Sequence, residues 1–579
     1  MEYGYPGSFI KYPLVHEKYP NPEFDPNGVP YGIQPDPERP YLDAAGRRRW
    51  AYVYRPASIK PMMNAHAMIV VTDSGSEDTV ERELVEGGFL ALAERESFFL
   101  FFPLSVGSWS PDDVDYLRQL IHAVSISCVF PGRERCHDYR ICLVASGRGA
   151  DIAHIVAARF PDRLNSILSF GGEISGELMG PPDSEAAMSV WMADPRGDGL
   201  AFWCAVNGLD EKSALQLGDA RLYKDPENSA RQVCLIHSPH PGFDGGILLR
   251  FWDQVFKTNI RPFSTGRGRV ESISDALEGG RASVHYMDRS LSCGSHAPHT
   301  WLEYCPGNIE PGRRYPLVLF LHGGACDAFI EAANTGLHRL GEKQGFFTVY
   351  PTASNGYSWN SVLHSHRDDD VEYLRSLIEH MLSSYPIDPS RVYMSGFSNG
   401  SGMAQVFSAI HPELVAGVLA FNTRYAFDSK AWAAAAGPKS RYNYRMPVFY
   451  SYGTRDVEFP LKNGSSQFSQ MDFWKNYNNI ANPKPDENYP GGFGAPADRV
   501  VSWGRCGRHG KPIFTTAEFN TCDPSGINLY NYTFVESLPH AVEPRLFPAG
   551  LAYLFQFSRQ ADGSLSYERT FGDYELYEV

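Results

Sequence analysis

A serine flanked by glycines, Gly396-Phe397-Ser398-Asn399-Gly400, is the first feature of this sequence that could do chemistry. The glycines permit a tight, strained turn that lifts a hydroxyl clear of a sheet edge. A hydroxyl is a poor nucleophile until a base takes its proton, so a carboxylate and an imidazole are expected further on, in that order. Asp456, in MPVFYSYGTRDVEFP, follows a strand pattern and a Gly-Thr turn, with Glu458 as a rival two residues on. Two histidines come later. His540, in INLYNYTFVESLPHAVEP, follows an alternating strand and precedes the apolar run AGLAYLFQF. His509 sits in GRCGRHGKP, a basic, Gly-rich loop of the solvated kind, so the base is assigned to His540. A developing oxyanion needs two N–H donors. The amide of Asn399 and that of Gly324, in LFLHGGACD, are the candidates, with His322 expected to orient the loop. His322, Trp359 and Phe397 are the expected substrate contacts. The wider set of aromatics, Tyr357, Trp359, Phe459, Phe468, Trp474 and Trp503, points to a bulky or aromatic group on the substrate.

These residues need a scaffold that brings strand ends together. RVYMS before Ser398 has the pattern of a strand, and SGMAQVFSAI after it that of a helix start, which is the strand–turn–helix setting such a turn requires. In DDVEYLRSLIEHMLSSY the apolar residues Val371, Leu374, Leu377, Ile378 and Met381 recur at helical spacing behind leading acids. Apolar strands alternating with amphipathic helices predict mainly parallel sheets flanked by helices.

The same phrases occur twice. DDVDYLRQLI (112–121) returns as DDVEYLRSLI (369–378), and HAMIVVTDSG (66–75) matches PLVLFLHGGA (316–325). DYRICLVASGRGADIA (138–153) matches SRVYMSGFSNGSGMA (390–404), and RFPDRLNSILSF (159–170) matches IHPELVAGVLAF (410–421). Four pairs in order predict an internal duplication. The expected organisation is an extended arm over 1–42, an α/β domain over 43–262, a Gly- and charge-rich linker over 263–281 and a second α/β domain over 282–579.

PLVLFLHGGA, YPTASNGYSWNS, DDVEYLRSLI, YPIDPSRVYMSGFSNGSGMA, the GTRD turn and the strand-then-His ending together resemble the polyhydroxybutyrate depolymerase-like esterases, a group that includes feruloyl and acetylxylan esterases. The resemblance covers about 250 residues. It implies an α/β-hydrolase fold and ester hydrolysis through an acyl-serine, with Ser398, Asp456 and His540 as the triad and no cofactor. The chain departs from the family around its final histidine: Ser-Leu-Pro-His-Ala-Val-Glu-Pro replaces a Gly-rich lead-in and a following Trp-Pro. Polyester depolymerase, peptidase and non-enzymatic scaffold are the competing readings.

The first copy lacks this chemistry. Ser398 falls opposite Gly147, with Ser146 one residue early, and His322-Gly323-Gly324 becomes Thr72-Asp73-Ser74. The stretch RQVCLIHSPHPGFDGG is read as the acid's strand, with a proline near the acid position and Asp244 close by; no counterpart of His540 is expected. A degenerate, non-catalytic copy follows. Buttressing the active half, covering its cleft and pairing with a second copy as a homo-oligomer are the roles open to it. Residues 174–230 are read as an insertion with exposed aromatics.

A net charge of −15 argues against a nucleic-acid surface, and no apolar run reaches the ~18–20 residues of a membrane helix. The N-terminus lacks the basic start and apolar core of a secretory leader, which predicts a cytoplasmic protein, or a secreted one whose leader has been removed. The ten cysteines form no C-x-x-C pair, and the histidines show no ligand spacing, so no metal is expected. Cys142 and Cys234 read as core thiols, and Cys506 and Cys522 as a candidate disulfide.

Overall fold

The computed structural model describes residues 5–17, 35–59, 64–126, 135–161, 164–240, 242–261, 270–272, 281–288, 299–324, 326–356, 358–363, 369–423, 444–454, 456, 458–481, 483–506, 511–536, 538 and 540–577. The chain divides into two units, Met1–Ala276 and Leu277–Val579, with the boundary inside the Gly- and charge-rich stretch.

In the first unit, ten strands form one sheet: β1 (Ser8–Pro13), β2 (Trp50–Arg55), β3 (Asn64–Val71), β4 (Phe99–Pro103), β5 (Arg135–Ser146), β6 (Leu164–Phe170), β7 (Ser189–Ala193), β8 (Leu215–Leu217), β9 (Ala220–Lys224) and β10 (Gln232–Ile236). Their spatial order is 1-2-4-3-5-6-7-10-9-8. The central pairs from β4 to β10 are parallel and both margins antiparallel. The sheet therefore begins at Ser8, ahead of the expected boundary at residue 43.

The second unit also has ten: β11 (Arg281–Asp288), β12 (His299–Cys305), β13 (Tyr315–Leu321), β14 (Phe347–Pro351), β15 (Ile387–Phe397), β16 (Gly417–Phe421), β17 (Val448–Gly453), β18 (Arg499–Cys506), β19 (Lys511–Asn520) and β20 (Asn528–Val535). Their order, 11-12-14-13-15-16-17-20-19-18, is that of the first sheet strand for strand, with the same pattern of directions. Continuous apolar runs such as PLVLFL and GVLAF make the central strands, because both of their faces are covered and no residue need be polar.

Helices α1 (Asp113–Ile126) and α2 (Gly147–Arg159) in the first unit, and α3 (Ala328–Thr335), α4 (Asp370–Ser384) and α5 (Asn399–Ile410) in the second, complete crossovers, and α6 (Phe547–Phe555) follows β20. The repeated phrase forms α1 and α4. In α4 the buried stripe is Tyr373, Leu374, Leu377, Ile378 and Met381; Val371 sits at the margin. Asp369 caps the helix by accepting from the Glu372 amide at 3.1 Å.

Two expectations about the first unit are corrected. Residues 174–230 are not an exposed insertion: they include β7, deep in the sheet, and Trp191, Phe202 and Trp203 are all buried. Aromatic side chains there face the core because the strand is covered on both sides. The stretch RQVCLI is not the counterpart of the acid's strand. It forms β10, which occupies the place of β20, while β7 occupies that of β17. Asp244 caps the helix Gly245–Phe251, accepting from Gly246 and Ile247. Cys142 and Cys234 are buried thiols, Cys522 is free and exposed, and the Cys506 side chain lies outside the described residues.

Candidate active site

Strand β15 ends at Phe397 and α5 begins at Asn399, so Ser398 alone makes the turn, with φ +52° and ψ −117°. A side chain in this left-handed region is strained and must be held. Two hydrogen bonds hold it: the Ser398 amide donates to Phe421 O at 2.9 Å, and Ser398 O accepts from Gly402 at 3.0 Å. The flanking glycines are required by close approach. A Cβ at Gly396 would lie 2.6 Å from the Gly400 backbone, and one at Gly400 would lie 2.3 Å from the carbonyl oxygens of Leu321 and His322.

His540 and Asp456 follow β20 and β17, which are neighbours in the sheet although their paired positions Val448 and Tyr530 are 82 residues apart in the chain. His540 Nε2 lies 2.8 Å from Ser398 Oγ, and His540 Nδ1 lies 2.7 Å from Asp456 Oδ2. Asp456 is 4% exposed, and its Oδ2 also accepts from Asn422 Nδ2 at 3.0 Å. With the carboxylate on Nδ1, the imidazole carries its proton there and presents an Nε2 lone pair to the hydroxyl. The Phe397 ring packs 4.9 Å from the imidazole and supports it from one side. Glu458 accepts instead from the Ser466 hydroxyl at 2.7 Å, and His509 lies outside the described residues.

The loop after β13 passes beside the serine: a Cβ on Gly323 would come 3.5 Å from Ser398 Cβ and 2.7 Å from the Phe397 ring. His322 is fully buried, and burial pulls its pKa down to about 4, so it is a neutral hydrogen-bonding group. Its Nε2 accepts from the Ala353 amide at 2.9 Å, which leaves Nδ1–H to donate to Gly323 O at 2.6 Å. Pulling that carbonyl toward the imidazole turns the N–H of Gly324 the opposite way, because the two belong to one planar trans peptide. The Gly323 amide donates to Glu331 Oε1 at 3.1 Å. Glu331, on α3, is 1% exposed, and burial raises its pKa to about 8.

Asn399 clamps the loop 359–361. Its Oδ1 accepts from the Trp359 amide at 2.5 Å, and its Nδ2 donates to Trp359 O and Ser361 Oγ. Asp370, at the start of α4, holds the same loop by accepting from Ser354 and Asn360. Trp359 is fully buried, its indole donating to His322 O at 3.0 Å. Trp359 and His322 thus form the wall behind the site, and the expectation that they touch substrate is corrected; both are too large and too enclosed by loops to present surface. Phe468, Trp474 and Trp503 are buried as well, and Tyr357 lies outside the described residues. Sequence reasoning missed Asn422 and Glu331. Asn422 stands one residue beyond β16, where such sheets gather their sites, and that position was the available signal.

Residues 301–440 match the family described as Esterase PHB depolymerase. Over 194 residues the chain is 32% identical to a bifunctional acetylxylan esterase/xylanase, XynS20E, of Neocallimastix patriciarum, covering 31% of this chain and 26% of that protein. Over 179 residues it is 26% identical to poly(3-hydroxyalkanoate) depolymerase C of Paucimonas lemoignei, covering 28% and 41%. Among solved structures, an acetyl xylan esterase from Aspergillus awamori aligns with a TM-score of 0.32 at 15% identity, covering 45% of this chain and 95% of that one. The chain spans well under half the length of these two curated relatives. The family match contains Ser398, Gly324 and Asn399 and ends before Asp456 and His540. Residues 301–440 of the second unit are thus similar to the family described as Esterase PHB depolymerase.

Proposed function

We propose that the second unit is a serine carboxylic-ester hydrolase in which Ser398, His540 and Asp456 form the catalytic triad. The observation that carries the reading is the continuous chain Ser398 Oγ–His540–Asp456 at 2.8 and 2.7 Å. Ser398 Oγ attacks the ester carbonyl as His540 Nε2 takes its proton, and Asp456 stabilises the imidazolium and fixes its tautomer. The oxyanion is received by the amides of Asn399 and Gly324, Gly323 being engaged by Glu331. The same imidazole protonates the departing alkoxide, then activates water to release the acid from the acyl-serine.

The names of the relatives favour acyl groups on polysaccharide or polyester hydroxyls. The buried state of Trp359, Phe468, Trp474 and Trp503 removes the main support for an aromatic, feruloyl-type acyl group. Acetylated polysaccharide is accordingly the first substrate to test. We infer that the first unit is a non-catalytic copy of the same fold, on the identity of strand order and the glycine at position 147. Incubating the full chain with a fluorophosphonate probe and mapping the adduct tests the reading. Labelling of Ser398 that is lost on Ser398→Ala is the expected result; an unlabelled Ser398 beside a labelled control esterase would overturn it. Release of acetate from acetylxylan, compared with hydroxyalkanoate oligomers, methyl ferulate and peptide anilides, then ranks the substrates.

A further inference from the structure

Three side chains far apart in the sequence converge at the margin of the second sheet: His285 of β11, Glu303 of β12 and His380 of α4. One ring nitrogen or carboxylate oxygen from each lies within 4.8 Å of the others. Glu303 is 4% exposed and divides its two oxygens between the histidines, Oε1 3.2 Å from His285 Nε2 and Oε2 3.2 Å from His380 Nε2. Its plane is fixed by the Tyr385 hydroxyl, donating to Oε1 at 2.6 Å, and the Trp301 indole, donating to Oε2 at 3.0 Å. His285 is fixed as firmly. Its Nδ1 lies 2.9 Å from Asp288 Oδ2, and its ring stacks on Trp301 at 4.2 Å with planes 4° apart.

The unusual atom is His285 Nε2. In the neutral ring with Nδ1–H donating to Asp288, Nε2 carries a lone pair. It is buried and lacks the alignment of a hydrogen bond, although an acceptor oxygen stands 3.2 Å away. Two acceptors held this close repel unless something positive lies at the point they share. A proton on both imidazoles would turn the cluster into an ion-pair triad. A cation would use both lone pairs and one carboxylate oxygen at once. The neighbours of His285 and Glu303 fit the second case: metal-bound imidazoles characteristically give their other ring nitrogen to a carboxylate, as His285 gives Nδ1 to Asp288, and metal-bound carboxylates are themselves hydrogen-bonded, as Glu303 is by Tyr385 and Trp301.

We propose that His285, Glu303 and His380 bind one divalent transition-metal ion of the zinc class, with Asp288 as the carboxylate that orients His285. Two imidazoles and one carboxylate suit a borderline-soft ion, and three protein ligands leave a coordination position for water. The side chains of His285 and His380, 25% and 26% exposed, give that water access from the rim of the cluster. The ion ties the outermost strand β11 to β12 and to α4, so it stabilises a sheet margin. β11 stands four strand positions from β15, roughly 19 Å at the usual strand spacing, which separates it from the ester chemistry.

The full chain, stripped with a chelator, is titrated with Zn²⁺ by calorimetry and with Co²⁺ by visible absorption. The expected result is one site per chain whose affinity falls at least about 100-fold in His380→Ala and about 10–100-fold in Asp288→Asn. Thermal stability should rise with Zn²⁺ in the wild type and not in His380→Ala. His380 is only partly exposed, so that variant is checked for folding by circular dichroism and for unchanged ester turnover. Should the wild type bind no Zn²⁺, or should folded His380→Ala bind it with the same stoichiometry and affinity, the cluster is an ion-pair triad only and the proposal fails.

Discussion

The turn after β5 and the turn after β15 share a positive φ and a crowded glycine, and differ in what stands on them. Gly147, the first residue of α2, and Ser398, just before α5, both have φ +52° where a strand gives way to a helix. The glycines that follow them are equally confined: a Cβ at Gly149 would meet Val71 O and Thr72 O at 2.5 Å, as one at Gly400 meets Leu321 O and His322 O at 2.3 Å. In the first unit, however, the space of the missing side chain is filled from across the sheet. Asp73, standing where the second unit has Gly323, brings Oδ1 to 2.2 Å from where a Cβ at 147 would be. The same oxygen accepts from the Arg148 amide at 2.7 Å, the counterpart of the Asn399 amide assigned to the oxyanion. A carboxylate of the chain itself thus engages the amide whose counterpart in the second unit we propose for the oxyanion.

The partners of the missing nucleophile have not vanished in parallel. His237 follows β10 and Asp194 follows β7, the strands that match those leading to His540 and Asp456, and His237 Nδ1 lies 3.0 Å from Asp194 Oδ1. By its strand, His237 stands at the place for which no counterpart of His540 is expected from the sequence. His237 is 78% exposed at its side chain, against 16% for His540. An imidazole that far into solvent, with no hydroxyl to receive, is a surface pair. The comparison separates two parts of the arrangement: packing of strand, helix and glycine holds the turn in both units, while the polar groups above it differ.

The sharpest way to break the contrast is Ser398→Ala. Ester turnover should fall on the order of 10⁴–10⁶-fold, read with p-nitrophenyl acetate; substantial remaining activity would place catalysis in the first unit. Asp456→Asn should cost about 10⁴-fold in kcat by presenting the wrong imidazole tautomer. Asn422→Ala removes one hydrogen bond to the buried carboxylate, worth about 1.5–3 kcal/mol, and should lower kcat roughly 10–100-fold with little change in KM. Gly147→Ser should destabilise the first unit by about 1–3 kcal/mol, because the new Cβ collides with Asp73 at a strained φ. Adding Asp73→Gly should recover most of that loss in thermal unfolding, and a collision-free single variant would show that Asp73 does not fill the site. The smallest effect concerns Glu331. Its folded pKa of about 8 exceeds the ordinary 4.5, so the native state holds a proton the unfolded chain releases between those values. Its contribution is intact below pH 4.5 and is lost as pH rises through 8. Thermal stability of Glu331→Gln should therefore decline less than wild type between pH 5 and 8.

Much of this arrangement was legible in the residues. Ser398, Asp456 and His540 stand out because strand patterns, glycines and chain order constrain them jointly. The repeated phrase marks α1 and α4, yet the acid inside it does different work in each: Asp370 anchors the loop 354–360, whereas Asp113 pairs with the buried Arg49 at 2.8 Å. Sequence reasoning misplaced RQVCLI because β7 and β10 are both short apolar strands, and local pattern cannot tell two such strands apart.

By itself, then, the order of amino acids determined the alternation of strand and helix, the strained turn and the types of groups that could act above it, since each is written in local periodicity or in the need for a missing Cβ. Only the tertiary structure decided that Asn422 would hold Asp456, that Glu331 would sit beneath the loop at Gly323, that Asp73 would fill the space at Gly147, and that His285, Glu303 and His380 would meet. Those contacts join segments brought together by sheet pairing and crossover connections, whose geometry no short stretch of chain contains.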